Sequence, residues 1–325
     1  MTTTRNRLPP AIRVGALVFT VLAITFAGVV LWTQAGDLSL RWTELRSAGW
    51  HLRPGWLALA LCFWTVNLFV MGRVWVVFVR ALGSDLAYVE GIRIWLVTNL
   101  GRYVPGKIWQ LSGLAVYMRQ RHQAGGIALV AVLTFQVLIL ATGVGVGLAI
   151  VGGGLANDKI LVSIAIVGLS AAGLAVLLRP DVIHRVTAWI TVRAGEAQPP
   201  VAELSRGVVL RAAAVLVLSW AIYGFGLWCL WRGVGNVGGP DQVLWTGIFA
   251  AAYVVGYLAL FAPGGIIVRE GVLVALLIEV AAVSGPTAAG IAIAARLLAV
   301  ASELLAVGVA WGLPRGDRYP EVDSE

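Results

Sequence analysis

Six stretches of the chain are long and apolar enough to cross a membrane as helices. Each carries few or no charged residues, and they are Val14–Trp32, Trp56–Val79, Ile127–Val151, Ile160–Leu178, Val208–Trp231 and Thr287–Trp311. A hydrocarbon core of about 30 Å requires about 20 apolar residues in helix. The residues between these stretches form no polar block that could fold alone. The pattern therefore predicts one all-α polytopic membrane domain over residues 1–325, and it excludes an ordinary water-soluble enzyme.

The distribution of charge predicts the orientation of these spans. Charged residues make up 12% of the chain, against about 25% in soluble domains. With the N-terminus in the cytosol, the cytosolic segments hold 13 arginines, whereas the outer segments hold five arginines and lysines. The positive-inside rule then places both termini, including a tail at 313–325, in the cytosol. The net charge of +8 reflects topology, so no basic face is left to bind nucleic acid.

Two further apolar stretches are each interrupted by a Pro-Gly pair. Residues 88–118 break at Pro105-Gly106, and residues 243–283 break at Pro263-Gly264-Gly265. Proline removes a backbone donor and glycine lets the chain reverse, so each break should end one helix and begin another. The arms that follow measure roughly 17–20 Å, which is too short to cross unaided. We expect two re-entrant helical hairpins, although tilted crossings would have the same length.

The order span, span, hairpin, span occurs twice along the chain. The first copy covers residues 14–151 and the second covers 160–312. On the predicted topology the second copy is inverted. Inverted repeats with interrupted helices are typical of secondary transporters, whose sites lie near the midplane of the membrane. Pro-Gly pairs that mark only loops would give the same pattern by chance.

The broken helices provide a candidate binding site for an anion. A helix that starts after Pro-Gly presents free N–H groups and the positive end of its dipole. Arg102 and Lys107 flank the first break, and Arg269 follows the second. We expect these cations to bind a phosphate or another anionic lipid head group, unless Lys107 only reaches out to the head-group region. The backbone of three glycines would complete the site: Gly106, Gly264 and Gly265.

Several charged residues fall at membrane depth, where a charge is costly and is usually paired or functional. Arg296 and Glu303 are seven residues apart, so they share one helix face but lie about 10 Å apart along it. We predict that Glu303 pairs with Arg269, and Arg296 with Glu270 or Glu279. Such pairs either fasten the second hairpin or include a carboxylate that couples transport to protons. The expected charge network comprises Glu270, Glu279, Arg296, Glu303 and Arg73.

The sequence offers no catalytic, cofactor or metal site. The segment GRYVPGKI resembles a nucleotide-binding loop, but Ile108 stands where a magnesium-binding hydroxyl is required. The three histidines are isolated and lack the spacing of metal ligands. Gly143, Gly145 and Gly147 form a small-residue face that we expect to pack helices within the chain rather than to form a homodimer.

Two segments resemble the signature segments of the flippase-like membrane region of lysylphosphatidylglycerol synthases and their stand-alone relatives. They are NLGRYVPGKIWQ, from Asn99 to Gln110, and APGGIIVREG, from Ala262 to Gly271. By this resemblance Ile267 departs from the family pattern, which usually has a small glycine there. The positions that match the two motifs are Arg102, Pro105, Gly106 and Lys107 in the first, and Pro263, Gly264, Gly265, Arg269 and Glu270 in the second.

The resemblance implies a multi-pass protein of the bacterial inner membrane that moves phospholipids or polyisoprenoid-linked lipids between leaflets. It does not imply lysine transfer, because the sequence contains no counterpart of the soluble aminoacyl-transferase domain. We therefore expect a lipid translocase without enzymatic activity that binds membrane lipids with an anionic head group. The alternatives are an enzyme or subunit of cell-envelope glycolipid synthesis, a scaffold for a partner glycosyltransferase, and a transporter of small solutes.

Overall fold

The computed structural model describes residues 50–103, 108–119, 125–152, 204–234, 241–259 and 267–313, together with 42–47 and a few single positions. Within these ranges the chain forms nine α-helices and no strand. They are α1 (Trp42–Ser47), α2 (Pro54–Ala81), α3 (Tyr88–Asn99), α4 (Ile108–Arg119), α5 (Gly125–Val151), α6 (Arg206–Gly233), α7 (Gln242–Leu258), α8 (Val268–Glu279) and α9 (Gly285–Gly312). A short 3-10 helix, Leu100–Tyr103, follows α3. The prediction of an all-α protein is confirmed for the described part of the chain.

Four of the helices are long and apolar enough to cross a membrane. These are α2, α5, α6 and α9, with 27 or 28 residues each, or roughly 40 Å of helix at 1.5 Å per residue. They correspond to four of the six spans predicted from the sequence. The other two predicted spans, Val14–Trp32 and Ile160–Leu178, lie outside the described ranges.

Each of the two predicted Pro-Gly breaks lies between two shorter helices. α3 with its 3-10 turn and α4 flank the first break, while α7 and α8 flank the second. The corner residues themselves, 104–107 and 260–266, lie outside the described ranges. The order long helix, two short helices, long helix therefore occurs twice among the described elements.

An antiparallel pair of helices, α2 and α6, forms the most extensive contact in the bundle. At one end the Arg53 N–H donates to the Gly233 carbonyl at 2.7 Å. Further along, the indole Nε1 of Trp64 donates to the Tyr223 carbonyl at 3.0 Å. The indole lies where a side chain at Gly226 would stand, since a Cβ there would be 2.1 Å from Nε1. A glycine is therefore needed at position 226 for the two helices to approach this closely.

Small residues of α5 provide a second close helix contact. A Cβ on Gly143 would stand 2.6 Å from the Trp220 ring, and one on Gly147 would lie 3.3 Å from the Ala251 backbone nitrogen. Both glycines face neighbouring helices of the same chain, α6 and α7. The predicted role of this small-residue face in packing within the chain is confirmed for these two positions. A Cβ on Gly145 would meet nothing within 4 Å.

The last long helix, α9, lies between the two pairs of short helices. It contacts α3 on one side and α8 on the other, and it also packs against α2. Near its start, Gly290 leaves room for the buried side chains of Leu45 and Trp50. We call the stretch from α3 to α4 the first broken segment and the stretch from α7 to α8 the second. Because α9 adjoins both broken segments, its side chains can reach residues of each.

Candidate functional site

A cavity of about 70 Å³ lies in the interior of the bundle. Its walls include residues of all four long helices and of both pairs of short helices. Two of these residues, Arg296 and Glu303, flank the midpoint of the 28-residue helix α9. The cavity therefore lies at the depth of the helix centres, far from both ends of the spans.

The first broken segment is fastened to α9 by an ion pair. Arg102 Nη1 lies 3.5 Å from Glu303 Oε1. The same guanidinium donates to Asn99, both to its carbonyl oxygen and to its side-chain oxygen. Gln110 Nε2 on α4 donates to that side-chain oxygen at 3.4 Å. Asn99 therefore joins the two arms on either side of the first break and orients the arginine that reaches α9.

The second broken segment is fastened to α9 by an ion pair in which α9 supplies the arginine and the broken segment supplies the glutamate. Arg296 Nη1 lies 3.5 Å from Glu270 Oε1. The other carboxylate oxygen of Glu270 accepts a hydrogen bond from the Ile267 N–H at 2.7 Å, so it also caps the start of α8. The Arg296 side chain is buried and its guanidinium lies 5.5 Å from the centre of the Tyr103 ring. Arg296 therefore contacts both broken segments.

Arg269, at the start of α8, has a different environment. Its guanidinium lies over two rings of α7, 4.8 Å from the centre of Phe249 and 5.6 Å from that of Tyr253. Gly256 allows this approach, because a Cβ there would stand 2.5 Å from the Arg269 Cβ. A guanidinium on an aromatic face is held in place while its N–H groups stay available to an anion.

Arginine outnumbers glutamate in this site. Over the described ranges, three arginines surround the cavity, and two of them pair with the glutamates Glu303 and Glu270. The excess positive charge is carried by Arg269, which contacts aromatic rings. The site as described therefore has a net charge of about +1 and favours an anion.

The structure brings together five of the residues that the sequence singled out, namely Arg102, Arg269, Glu270, Arg296 and Glu303. The predicted pair of Arg296 with Glu270 is present. The predicted pair of Glu303 with Arg269 is wrong, because the partner of Glu303 is Arg102. Arg102 reaches Glu303 from the first broken segment, whereas the Arg269 guanidinium lies over the rings of Phe249 and Tyr253.

Two members of the predicted charge network lie elsewhere. Glu279 is exposed at the last residue of α8. Arg73 is exposed on α2, where its guanidinium lies 5.0 Å from the centre of the Tyr88 ring. Other predicted head-group ligands lie outside the described ranges: Lys107, Gly106, Gly264 and Gly265.

The site also contains polar residues that sequence reasoning missed. Asn99 and Gln110 stand at the two ends of the first motif, and their position as polar residues in an otherwise apolar stretch beside Arg102 was the available signal. Tyr253 and Tyr257 are one turn apart on the mostly apolar helix α7, a spacing that places both on one face. The remaining polar lining residues are Tyr103, Gln136 and Tyr223.

Comparison with known proteins places the chain in a family. The family described as the lysylphosphatidylglycerol synthase transmembrane region matches residues 14–306. No curated protein matches the chain. The match takes in three of the four described long helices completely, α9 as far as residue 306, and both motifs that suggested the resemblance. The chain belongs to the transmembrane-region family of the lysylphosphatidylglycerol synthases and is a multi-pass membrane protein.

Proposed function

We propose that this chain is a lipid translocase of the bacterial inner membrane, which moves an anionic phospholipid or a polyisoprenoid-linked lipid between leaflets without transferring an aminoacyl group. The observation that carries the proposal is the cavity at the centre of the bundle, where arginines exceed glutamates by one. Charges at the middle of a membrane are costly and usually mark the path of a substrate or an ion. Membership of a family connected with lipid synthesis adds support.

Arg269 is the proposed ligand of the lipid phosphate. A guanidinium offers parallel N–H donors that match two phosphate oxygens. Phe249 and Tyr253 hold the guanidinium on one side, which leaves its other face to the cavity. Tyr253 and Tyr257 line the same space, and we propose their hydroxyls as further donors. Lys107, at the first Pro-Gly corner, is the second cation proposed to bind the head group.

The size of the cavity indicates a closed state. A volume of about 70 Å³ holds a few water molecules or one phosphate group, since a single water requires roughly 10–15 Å³ on this scale. A whole lipid does not fit, so passage requires a broken segment to separate from α9. The Arg102–Glu303 and Arg296–Glu270 pairs are the contacts that such a movement would open.

We further propose that the two broken segments are re-entrant hairpins of an inverted repeat. The helices α3, α4 and α8 have 12 residues each, or roughly 18 Å at 1.5 Å per residue. Separation of one hairpin from α9 at a time would open the cavity first to one leaflet and then to the other, as in transporters built from inverted repeats. Each ion pair then closes one of the two entrances.

The test is lipid exchange in liposomes that contain the purified chain. Fluorescent phosphatidylglycerol or phosphatidylcholine is placed in both leaflets, and a membrane-impermeant reductant then bleaches only the outer one. We expect the protected fraction of phosphatidylglycerol to fall well below that of protein-free vesicles, and Arg269→Gln to slow the exchange at least tenfold. Arg53→Gln is the matched control, because Arg53 is an exposed arginine at the end of α2.

Absence of exchange by the wild-type chain, across phosphatidylglycerol, cardiolipin and a polyisoprenyl phosphate, would overturn the proposal. Formation of a glycolipid product by the purified chain would instead favour the alternative role in cell-envelope glycolipid synthesis. Equal slowing by Arg269→Gln and Arg53→Gln would show that Arg269 has no specific part in the transport.

A further inference from the structure

A second, lateral groove lies between α2 and α6, away from the central cavity. It has a volume of about 340 Å³. Over the described ranges its lining consists of valines and one alanine with two arginines, Arg73 and Arg211, and Tyr88. Neither arginine lines the central cavity. The adjacent Met71, by contrast, faces that cavity, so the two sites lie on different sides of α2.

The same residue pattern lines the groove from both helices. Val70, Arg73, Val74 and Val77 follow the spacing i, i+3, i+4, i+7 on α2, and Val208, Arg211, Ala212 and Val215 repeat it on α6. Such spacing places four residues along one helix face. The groove is therefore an apolar channel with one cation from each wall.

Both arginines lie at the same end of the antiparallel pair. Arg73 is eight residues before Ala81, the end of α2, and Arg211 is five residues after Arg206, the start of α6. These separations correspond to about 12 Å and 8 Å of helix. In 28-residue helices of roughly 42 Å, a 30 Å hydrocarbon core begins about 6 Å from each end. For upright helices centred in the bilayer, the arginines therefore lie just inside the hydrocarbon boundary, below the head groups of one leaflet.

The side chains of both arginines are exposed, and the contacts that they make are with an aromatic ring and with a backbone carbonyl. The Arg73 guanidinium lies 5.0 Å from the centre of the Tyr88 ring, as does that of Arg80. Arg211 Nε donates to the Gly207 carbonyl of its own helix at 3.1 Å. Among the described residues that line the groove there is no carboxylate. A phosphate would complement this charge.

We propose that this groove binds one anionic phospholipid of the surrounding bilayer. Its phosphate lies between Arg73 and Arg211, next to the Tyr88 ring, and an acyl chain follows the valines toward the membrane centre. Charge complementarity determines the head group, because two cations face the groove and none of the described lining residues is acidic. The depth of the arginines determines the source, since a soluble anion would have to leave the water, whereas a lipid phosphate lies in the adjacent head-group layer, which an arginine side chain just inside the hydrocarbon reaches.

The test is lipid retention by the full chain. The full chain is reconstituted into nanodiscs that contain equal amounts of phosphatidylglycerol and phosphatidylcholine. It is then released from the nanodiscs in the mass spectrometer, and the lipids that remain bound to it are counted by native mass spectrometry. We expect one retained phosphatidylglycerol in excess of phosphatidylcholine. The double variant Arg73→Gln/Arg211→Gln should weaken the affinity for this lipid about thirtyfold, the factor that two surface cations contribute to binding an anionic leaflet.

Two further variants separate binding from folding. Arg53→Gln/Arg206→Gln removes the same charge from the same two helices outside the groove, and we expect it to retain phosphatidylglycerol like the wild type. Arg73→Lys/Arg211→Lys should keep most of the retention, because the charge remains. Equal loss in both glutamine pairs, equal retention of the two lipids by the wild type, or displacement of the bound lipid by millimolar glycerol phosphate would each overturn the proposal. Because the readout is binding, it is independent of whether the chain translocates lipid.

Discussion

Arg102 and Glu303 form an ion pair across the centre of the bundle, with 3.5 Å between Nη1 and Oε1. They come from different helices on the two sides of the cavity, since Arg102 ends the 3-10 turn after α3 and Glu303 lies near the middle of α9. Together with Arg296 and Glu270, they give α9 one ion pair with each broken segment. The two pairs have opposite sense, because α9 supplies the acid in one and the base in the other.

We expect Arg102 and Glu303 to be energetically coupled. Glu303→Gln leaves the arginine without its carboxylate, and Arg102→Gln leaves a buried carboxylate without its cation. Removing one partner of a buried pair costs about 3–5 kcal/mol; the Arg102 side chain is 26% accessible, so about 2 kcal/mol is expected here. The double variant should lose less stability than the sum of the single ones, measured by denaturant unfolding in detergent. Additive losses would show that the pair contributes no coupling.

Glu270 should have two separable roles. Its carboxylate pairs with Arg296 and accepts the Ile267 N–H. Glu270→Gln removes the charge but retains an acceptor for the N–H, whereas Glu270→Ala removes both. We expect the alanine variant to be less stable than the glutamine variant by about 1 kcal/mol, the usual effect of a lost helix cap. Glu279→Ala, at an exposed position of the same helix, is the control and should change stability by less than about 0.5 kcal/mol. Equal unfolding free energies for the two Glu270 variants would contradict the capping role.

Replacing Gly256 by alanine, which adds only a methyl group, should destabilise the protein. A Cβ at this position would stand 2.5 Å from the Arg269 Cβ and 3.1 Å from its Cα, so α7 and α8 would have to separate. We expect Gly256→Ala to cost about 1–3 kcal/mol, as overpacking does, and to slow lipid exchange by displacing Arg269. The control is Gly271→Ala in α8, where a Cβ meets nothing within 4 Å. A Gly256→Ala variant as stable and as active as Gly271→Ala would contradict this account.

Replacing Ile267 by glycine should stabilise the folded protein. Its φ of 75° and ψ of −51° fall in a region that costs a residue with a side chain about 1–3 kcal/mol. The side chain is 80% exposed, so it gains little from packing. Glycine relieves the strain but adds about 0.5–1 kcal/mol of chain entropy in the unfolded state, which leaves a net gain of roughly 1 kcal/mol for Ile267→Gly.

A matched substitution in the same helix tests the origin of that gain. Ile278 lies within α8 and is 39% exposed, and Ile278→Gly should lose about 1 kcal/mol because glycine disfavours a helix interior. Unfolding free energies of the two variants should therefore move in opposite directions. Loss of stability in both would show that the conformation at Ile267 carries no strain.

The helices and their breaks follow from local features of the sequence. The apolar runs predicted four long helices that are present, and Pro105-Gly106 and Pro263-Gly264 predicted the positions at which helices end and begin. The ion pair between Arg296 and Glu270 could also be predicted from the sequence, because Glu270 lies in the segment directly before α9. The re-entrant path and the inversion of the repeats stay predictions.

The partner of Glu303 and the aromatic contacts of Arg269 depend on the tertiary structure. Whether Glu303 meets Arg102 or Arg269 depends on the level at which each broken segment lies along α9, and helices far apart in sequence set that level by packing. Tyr223 and Tyr253 likewise reach the cavity because α6 and α7 turn those faces inward. Hydrophobic runs and Pro-Gly corners act within one or two turns of the chain, so the sequence alone determined the helices; the rotation and height of each helix arise from contacts such as Gly226 with Trp64, which only the assembled bundle contains.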